Sequence, residues 1–319
     1  MEKSTHRVEI VRIHPEPHPN ADRLEIVKVY GYTCAVQKGQ FKDGELAAYI
    51  PPDSVVPDSQ EYAFLGGHRR IRVKKLRGII SMGLLMPAPD GASEGDDVAA
   101  MMGIEHYDPP EPMTTGGENE KAPSGYHPVY DVDTLRRYAH VFREGEPVWV
   151  TEKLHGANGR WCFADGRIYA GSHRNWKKQD AKSIWWRVVE QYPELPKFCE
   201  ANPNVTVYGE VYGAVQSLKY GTKPGELRLA VFDLLVDNEW ADPQYAEELG
   251  RHLPLVPFLG IHPFSESAMY EMAEGPSLIP GAEHIREGIV IKPLNERTHS
   301  EIGRVQLKVV ASGYLERAV

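Results

Sequence analysis

Cysteine is scarce in this sequence: Cys34, Cys162 and Cys199 are the only three in 319 residues. Three scattered thiols cannot build a disulfide framework or a four-cysteine zinc cluster. No apolar run approaches the roughly 20 residues that a membrane-spanning helix needs, which excludes a helical membrane protein. The opening residues, Met1-Glu2-Lys3-Ser4-Thr5-His6-Arg7, lack the apolar stretch of a secretory signal. Positive charge is not in excess either. The formal net charge of -9 argues against a broadly basic nucleic-acid coat, yet leaves room for a local basic track. The expectation is a soluble, reduced, cytoplasmic protein without membrane contact and without an obligate protein partner.

What is present suffices for two cores. Hydrophobic residues make up 41% and charged residues 25% of the chain, and about 150 residues per domain is the usual scale. From Asp108 to His127 the sequence is rich in Pro, Gly, Thr and Glu and nearly devoid of large apolar side chains. Such a stretch buries too little surface to offset its ordering entropy. It predicts a linker over 108–127, dividing a domain at 1–107 from one at 128–319.

The first block reads as a small all-β barrel. Short runs at Val8–Ile13, Leu24–Val29, Thr33–Val36, Leu46–Ile50, Ile71–Val73 and Gly83–Met86 alternate with Asn-, Asp-, Gly- and Pro-rich turns. It also holds the densest basic run, with Arg69, Arg70, Arg72, Lys74, Lys75 and Arg77. On a strand, Arg70, Arg72 and Lys74 would share one face. That face is either a solvated, charge-protected edge or a track for phosphates.

The second block mixes strands (Val148–Val150, Val205–Tyr208, Leu229–Leu235, Gly288–Ile291, Val305–Val310) with a few helices. Asp133 is placed to cap a helix carrying Leu135, Tyr138, Ala139 and Phe142. Asp180 is placed to cap another, with Ile184, Trp185, Val188, Val189 and Tyr192 as its apolar face.

Polar residues recur at strand ends through this block. Thr151-Glu152-Lys153-Leu154-His155-Gly156-Ala157-Asn158 sets a lysine just past an apolar strand and before a glycine turn. A lysine there can act as a nucleophile if its neighbours depress its pKa. The Lys-x-x-Gly pattern alone decides nothing, since Lys75 to Gly78 repeats it. Downstream come Tyr208-Gly209-Glu210-Val211-Tyr212-Gly213, Val231-Phe232-Asp233-Leu234, Glu287-Gly288-Ile289-Val290-Ile291-Lys292 and Arg304-Val305-Gln306-Leu307-Lys308.

In this order the five segments resemble nucleotidyl motifs I, III, IIIa, IV and V of the covalent nucleotidyltransferases. The Glu-Lys-x-His-Gly-x-Asn form, Tyr212 to Gly221 and Leu307 to Leu315 are similar to the ATP-dependent RNA ligases that carry an OB-fold domain ahead of the core. His18-Pro19-Asn20-Ala21-Asp22-Arg23-Leu24 resembles the opening of tRNA-binding-type OB modules. The resemblance implies an α+β chain: an all-β OB-fold barrel, then an adenylation domain of antiparallel sheets with flanking helices.

It also implies a reaction. ATP donates AMP to Lys153, AMP passes to a 5′-phosphate end, and a 3′-hydroxyl displaces it, with Mg²⁺ or Mn²⁺ in attendance. The substrate would be RNA or an RNA-containing nicked duplex, gripped by the OB basic run. Glu152, Asn158, Arg174, Glu210, Phe232, Lys292 and Lys308 match nucleotide contacts. Glu210 and Glu287 match metal partners, in keeping with the oxygen preference of hard cations. Cations near Lys153 would favour its neutral, nucleophilic form. Each residue also has an ordinary reading: Lys153 or Arg174 on the surface, either glutamate in a structural ion pair, Phe232 in a core. Asp233 would turn toward the metal or cap a loop.

Two positions depart from the wider pattern. His155 stands where many ligases carry aspartate, and Gln306 where lysine is frequent, so that one phosphate contact is either neutral or supplied by Arg304. A DNA ligase, a GTP-using capping-type transferase and a catalytically dead OB-fold RNA-binding protein stay open as alternatives.

Overall fold

Strand Leu46–Ile50 has no charged residue and is buried on both faces. Alternation sends Ala47 and Tyr49 into one core with Ile13, Val27, Cys34 and Leu85. Ala48 and Ile50 enter a second core with Val8, Ile10, Val56 and Met86. This strand sits between Glu9–Arg12 and Leu84–Pro87, and a second three-stranded sheet joins Glu16–Pro17, Leu24–Val29 and Tyr32–Gln37. All of these pairings are antiparallel. The computed structural model describes residues 5–107 and 117–317. It divides into this all-β unit, Met1–Pro110 with Leu315–Val319, and a second unit, Glu111–Tyr314.

Five of the six strands expected in the first block form within two residues of their predicted bounds. Ile71–Val73 does not. Ile71 turns into the second core, its N–H bonded to the Ser54 carbonyl, and the strand begins only at Lys74. Lys74–Leu76 then makes a short hairpin with Ile79–Ser81, so no long basic strand face exists there.

In the second unit, a seven-stranded antiparallel sheet runs in the order 119–120, 176–177, 167–172, 157–164, 205–213, 227–236, 239–240. Val207, Val211, Leu229 and Val231 share one face, packed with Trp185 and Val188 of helix Ile184–Gln191 and Leu195 of helix Glu194–Ala201. A five-stranded sheet runs 133–134, 307–310, 288–293, 147–153, 258–263, and only its first pair is parallel. Val148, Val150, Ile289, Ile291, Leu307 and Val309 pack with Leu135 and with Met269 of helix Glu266–Ala273. Each sheet thus has one greasy face under helices and leaves the other for chemistry.

Local details correct the sequence reading. Thr134 and Ser183, not Asp133 and Asp180, precede the two helices. Asp133 pairs in the five-stranded sheet, and the Asp180 carboxylate closes its own turn on the Lys182 N–H (2.8 Å). Residues 108–116 of the expected linker lie outside the described residues. From Gly117 the chain is already second unit: Asn119–Glu120 pairs with Trp176–Lys177, and His127 Nδ1 bonds Thr206 Oγ1 (2.7 Å). At the other end, Leu315 packs in the first unit's core and Glu316 pairs with Lys75 (3.2 Å), so 128–319 is not one domain throughout. No described helix is long and apolar enough to cross a membrane.

Candidate functional site

Strand alternation decides which side chains leave the helix-covered faces. In Pro147–Lys153, Val148 and Val150 point to the helices, so Trp149, Thr151 and Lys153 take the opposite face. By the same parity Val290, Lys292 and Lys308 join them. On the seven-stranded sheet, Asn158, Tyr208, Glu210 and Tyr212 lie opposite the helix-packed valines. The two free faces look at each other, since Lys292 of one sheet donates to Asp233 Oδ2 of the other at 2.6 Å.

Lys153 lies in this cleft. Its Nζ donates to Glu287 Oε1 at 2.9 Å, and its strand position pairs with Gly288. Two glycines permit the approach. A Cβ on Gly156 would collide with the Val211 carbonyl oxygen, and one on Gly288 with the Val309 carbonyl oxygen. His155 adds its Nδ1 at 3.7 Å from Glu287 Oε2 and 3.3 Å from the Tyr314 hydroxyl. Its backbone N–H donates to the Tyr220 hydroxyl (2.7 Å).

The electrostatics reverse one expectation. Burial favours the neutral amine of Lys153, but Glu287 and Glu210 outweigh it and hold the pKa above the ordinary lysine value. Lys153 is surrounded by carboxylates, not cations. Burial pushes Glu210 up to about 8, against the pull of Lys153. Glu287, although buried, is held below the usual carboxylate range by Lys153 and His155. Its Oε2 is buried and has no hydrogen-bond partner among the described residues.

The remaining predicted contacts divide. Asn158 pairs in register with Glu210, and its Oδ1 is likewise buried without a partner. Phe232 occupies a bulge between Val231 and Asp233 and is half-buried. Lys308 and Arg174 both lie close enough to Asp131 to lower its pKa, after the direct bond that His173 makes to it (3.0 Å). Glu152 goes elsewhere. Parity puts it with Val148 and Val150, where its carboxylate accepts from Ser277 Oγ (2.5 Å) and the Leu278 N–H (2.7 Å). Its carboxylate is thus taken up by the 277–278 turn, close to Tyr212 and Tyr220.

Lys292 is not open to solvent either. It is clamped by Asp233 and by the Phe232 carbonyl (3.1 Å), and Arg304 Nη1 meets the same Asp233 Oδ2 at 2.8 Å. Arg304 and Lys292 hold Asp233 below the usual carboxylate range despite complete burial. Arg304 also pairs with Glu296. Sequence reasoning left Asp233 off the firm list and missed Tyr130 and Asp131 altogether. Only the acid after an aromatic strand signalled the first; the other two lie in a segment without periodicity.

On the OB side, Arg69 donates to the Val56 carbonyl (2.8 Å), Arg70 pairs with Asp53 (2.5 Å) and stacks on Tyr107, and Lys75 pairs with Glu316. Arg72, Lys74 and Arg77 are exposed. Among the described residues no group of three or more His, Cys, Asp or Glu is arranged to hold a metal ion.

A model described as RNA ligase matches residues 146–310, and one described as an OB-fold domain matches 7–88. No curated protein matches the chain. Among solved structures, Naegleria gruberi RNA ligase with PPi is 24% identical, with 98% of each chain covered and a TM-score of 0.83. A variant of that enzyme with AMP and Mn gives 24%, 98%, 98% and 0.83. A variant with ATP and Mn gives 24%, 98%, 98% and 0.82. The fold is thus that of an OB-fold unit and a ligase core, and the motif-bearing strands around Lys153 lie wholly inside the matched segment: the chain belongs to the RNA ligase family.

Proposed function

We propose that this chain joins a 3′-hydroxyl to a 5′-phosphate in RNA-containing nicked duplexes, using ATP and a covalent lysyl-AMP. The observation that carries the reading is Lys153 Nζ, half-buried in the cleft, 2.9 Å from Glu287 and flanked by Glu210. Family membership and the ATP, AMP and PPi of the Naegleria gruberi structures support it.

Lys153 attacks the α-phosphorus of ATP, forming an N–P bond as pyrophosphate leaves with its electron pair. The 5′-phosphate of the nick takes the AMP and frees the lysine. The 3′-hydroxyl then attacks the activated 5′-phosphate, and AMP departs. The attacking amine must first be neutral, while both glutamates favour its ammonium form. Glu287 and Glu210 fit a divalent cation, since Glu287 Oε2 is buried without a hydrogen bond among the described residues and both are hard donors. Two carboxylates make an incomplete shell, as suits Mg²⁺ or Mn²⁺ that retains water and phosphate ligands. When bound, the cation supplies positive charge that offsets both carboxylates.

Asn158, Arg174, Phe232, Lys292 and Lys308 complete the nucleotide site in this reading. Phe232 takes the base, and Arg174, Lys292 and Lys308 take the phosphates. The Glu152 side chain acts from behind by holding the 277–278 turn.

Intact-protein mass before and after ATP with Mn²⁺ tests the first step. The wild type gains one adenylyl group and Lys153→Ala gains none. Absence of a wild-type adduct would favour an inactive OB-fold RNA-binding protein, and an adduct from GTP a capping-type enzyme. Sealing of nicks with RNA, but not DNA, at the 3′ end separates RNA from DNA ligase. Joining of free single strands with nicks left open would overturn the nick preference.

A further inference from the structure

The segment His127–Asp131 passes across one end of the cleft, held by side chains from both sheets. Arg160 Nη1 donates to the carbonyls of His127 (2.7 Å) and Pro128 (3.2 Å), and the Tyr208 hydroxyl donates to Pro128 (2.8 Å). Gln306, just before strand Leu307–Val310, donates from Nε2 to the Asp131 carbonyl at 2.9 Å. Each of these partners is buried, as are Pro128 and Tyr130, while Asp131 is exposed; the segment forms a wall with one buried edge.

Tyr130 carries its side chain from this wall into the cleft. Its ring centroid lies 4.6 Å from Phe232, 5.3 Å from Trp240 and 5.6 Å from Tyr208. Its hydroxyl is 2.7 Å from Asp233 Oδ2 and 2.8 Å from Gln306 Oε1. Asp233 Oδ2 is the same oxygen that receives Lys292. One side chain thus touches the aromatic expected to take the base and, through a single carboxylate oxygen, the lysine expected to face phosphate.

We propose that Tyr130 is a positioning residue for nucleotide transfer: its ring fixes the tilt of Phe232, and its hydroxyl fixes Asp233 and hence the Lys292 ammonium. The proposal rests on the ligase reading above. Gln306 belongs to the same device. A lysine at that position would add a third cation beside Lys292 and Arg304, against the two carboxylates of Asp233 and Glu296. A neutral amide instead answers the tyrosine and ties the wall to the strand. Buried hydrogen bonds to a charged group are the strong kind, so losing the hydroxyl alone has a measurable effect.

The test is single-turnover lysyl-AMP formation over a range of ATP, with Mn²⁺, in the full chain. Tyr130→Phe keeps the ring, and is expected to raise the ATP needed for half-maximal rate by about tenfold while changing the limiting rate less than about threefold. Tyr130→Leu also loses the ring and is expected to lower the limiting rate further. The decisive comparison is Tyr130→Phe placed on Lys292→Met. If the hydroxyl acts through Lys292, the second change adds little to the first. A full tenfold loss persisting in the Lys292→Met background would overturn the proposal, as would a Tyr130→Phe enzyme within twofold of wild type at every ATP concentration. Thermal unfolding of each variant identifies any loss that comes from misfolding, and Tyr130→Phe, which adds no volume, remains interpretable if Tyr130→Leu does not fold. Failure of the wild type itself to gain AMP would instead sink the ligase reading.

Discussion

Lys153 Nζ and Glu287 Oε1 stand 2.9 Å apart across an antiparallel pair, with Glu287 just ahead of the strand that borders the lysine's own. This contact stabilises the protonated amine, the form that cannot attack. Resting chemistry and reactive chemistry at this position therefore differ by a charge, and the first prediction follows from that.

Glu287→Gln removes the largest influence that keeps the Lys153 pKa above its ordinary value, leaving burial opposed by Glu210 and, more weakly, Tyr314. The amine then loses its proton at lower pH than in the wild type. Competitive acylation of Lys153 without metal, followed by mass spectrometry across pH 7 to about 11, should show the variant's midpoint shifted down. Superimposed profiles would contradict the charge argument.

Asp233 ties the two sheets together. Its folded pKa lies below the unfolded value, so its contribution to stability is present above about pH 4 and is lost as pH falls through the lower, folded value. Asp233→Asn leaves Lys292 and Arg304 buried without their shared counter-charge and should cost about 3–5 kcal/mol. Urea unfolding at neutral pH measures this, and a change below about 1 kcal/mol would show that the cluster is not a structural clamp.

Gly156→Ala forces a side chain into the Val211 carbonyl, within the turn that carries Lys153 to its place. Lysyl-AMP formation should fall by at least about tenfold, since small misplacement at a reacting centre is costly. Gly145, in a positive-φ turn with no atom near its Cβ, serves as the comparison. Its change to alanine should lower stability slightly and leave the adenylylation rate of folded protein intact.

Arg72, Lys74 and Arg77 are exposed, whereas Arg70 is tied to Asp53 and Tyr107. Replacing the three together by alanine should weaken RNA binding and lessen the slope of log affinity against log salt by about 2–3. Arg70→Ala should change that slope by less than about 1. Equal slopes for wild type and the triple variant would exclude this run as a phosphate track.

Burial pushes the Cys34 and Cys162 thiols up to about 12, and Cys199 higher still. None should react with a thiol-directed reagent at pH 8 in the native protein, and all three should react in guanidinium. Rapid native labelling would mean that these cores open readily.

The residues most legible in the sequence were those whose chemistry leaves little choice. Lys153, Glu210 and Glu287 are far apart in the chain, yet a lysine between an apolar strand and glycine, and acids beside glycines, mark places where backbone comes close. Glu152 was read as a nucleotide contact beside Lys153; the Ser277 and Leu278 bonds that take up its carboxylate come from far along the chain and were not legible. Lys292 was read as a phosphate contact and Arg304 as a possible one, but their shared clamp on Asp233 was not legible, because that carboxylate reaches them across a cleft from about sixty to seventy residues away in sequence. Nor was the end of the expected linker. Its composition is that of a loop, but pairing with Trp176–Lys177 supplies the hydrogen bonds that its own sequence does not promise.

That pairing, with the wall of His127–Asp131 behind it, bears on how such a protein can be rearranged by recombination. A crossover that exchanges the amino-terminal module must fall before Gly117 if the recipient core is to keep its Tyr130, its Asp131 and the edge strand at Asn119. Breakpoints nearer Lys153 look safe from motif spacing alone, yet they would hand the daughter protein a nucleotide cleft with one side missing.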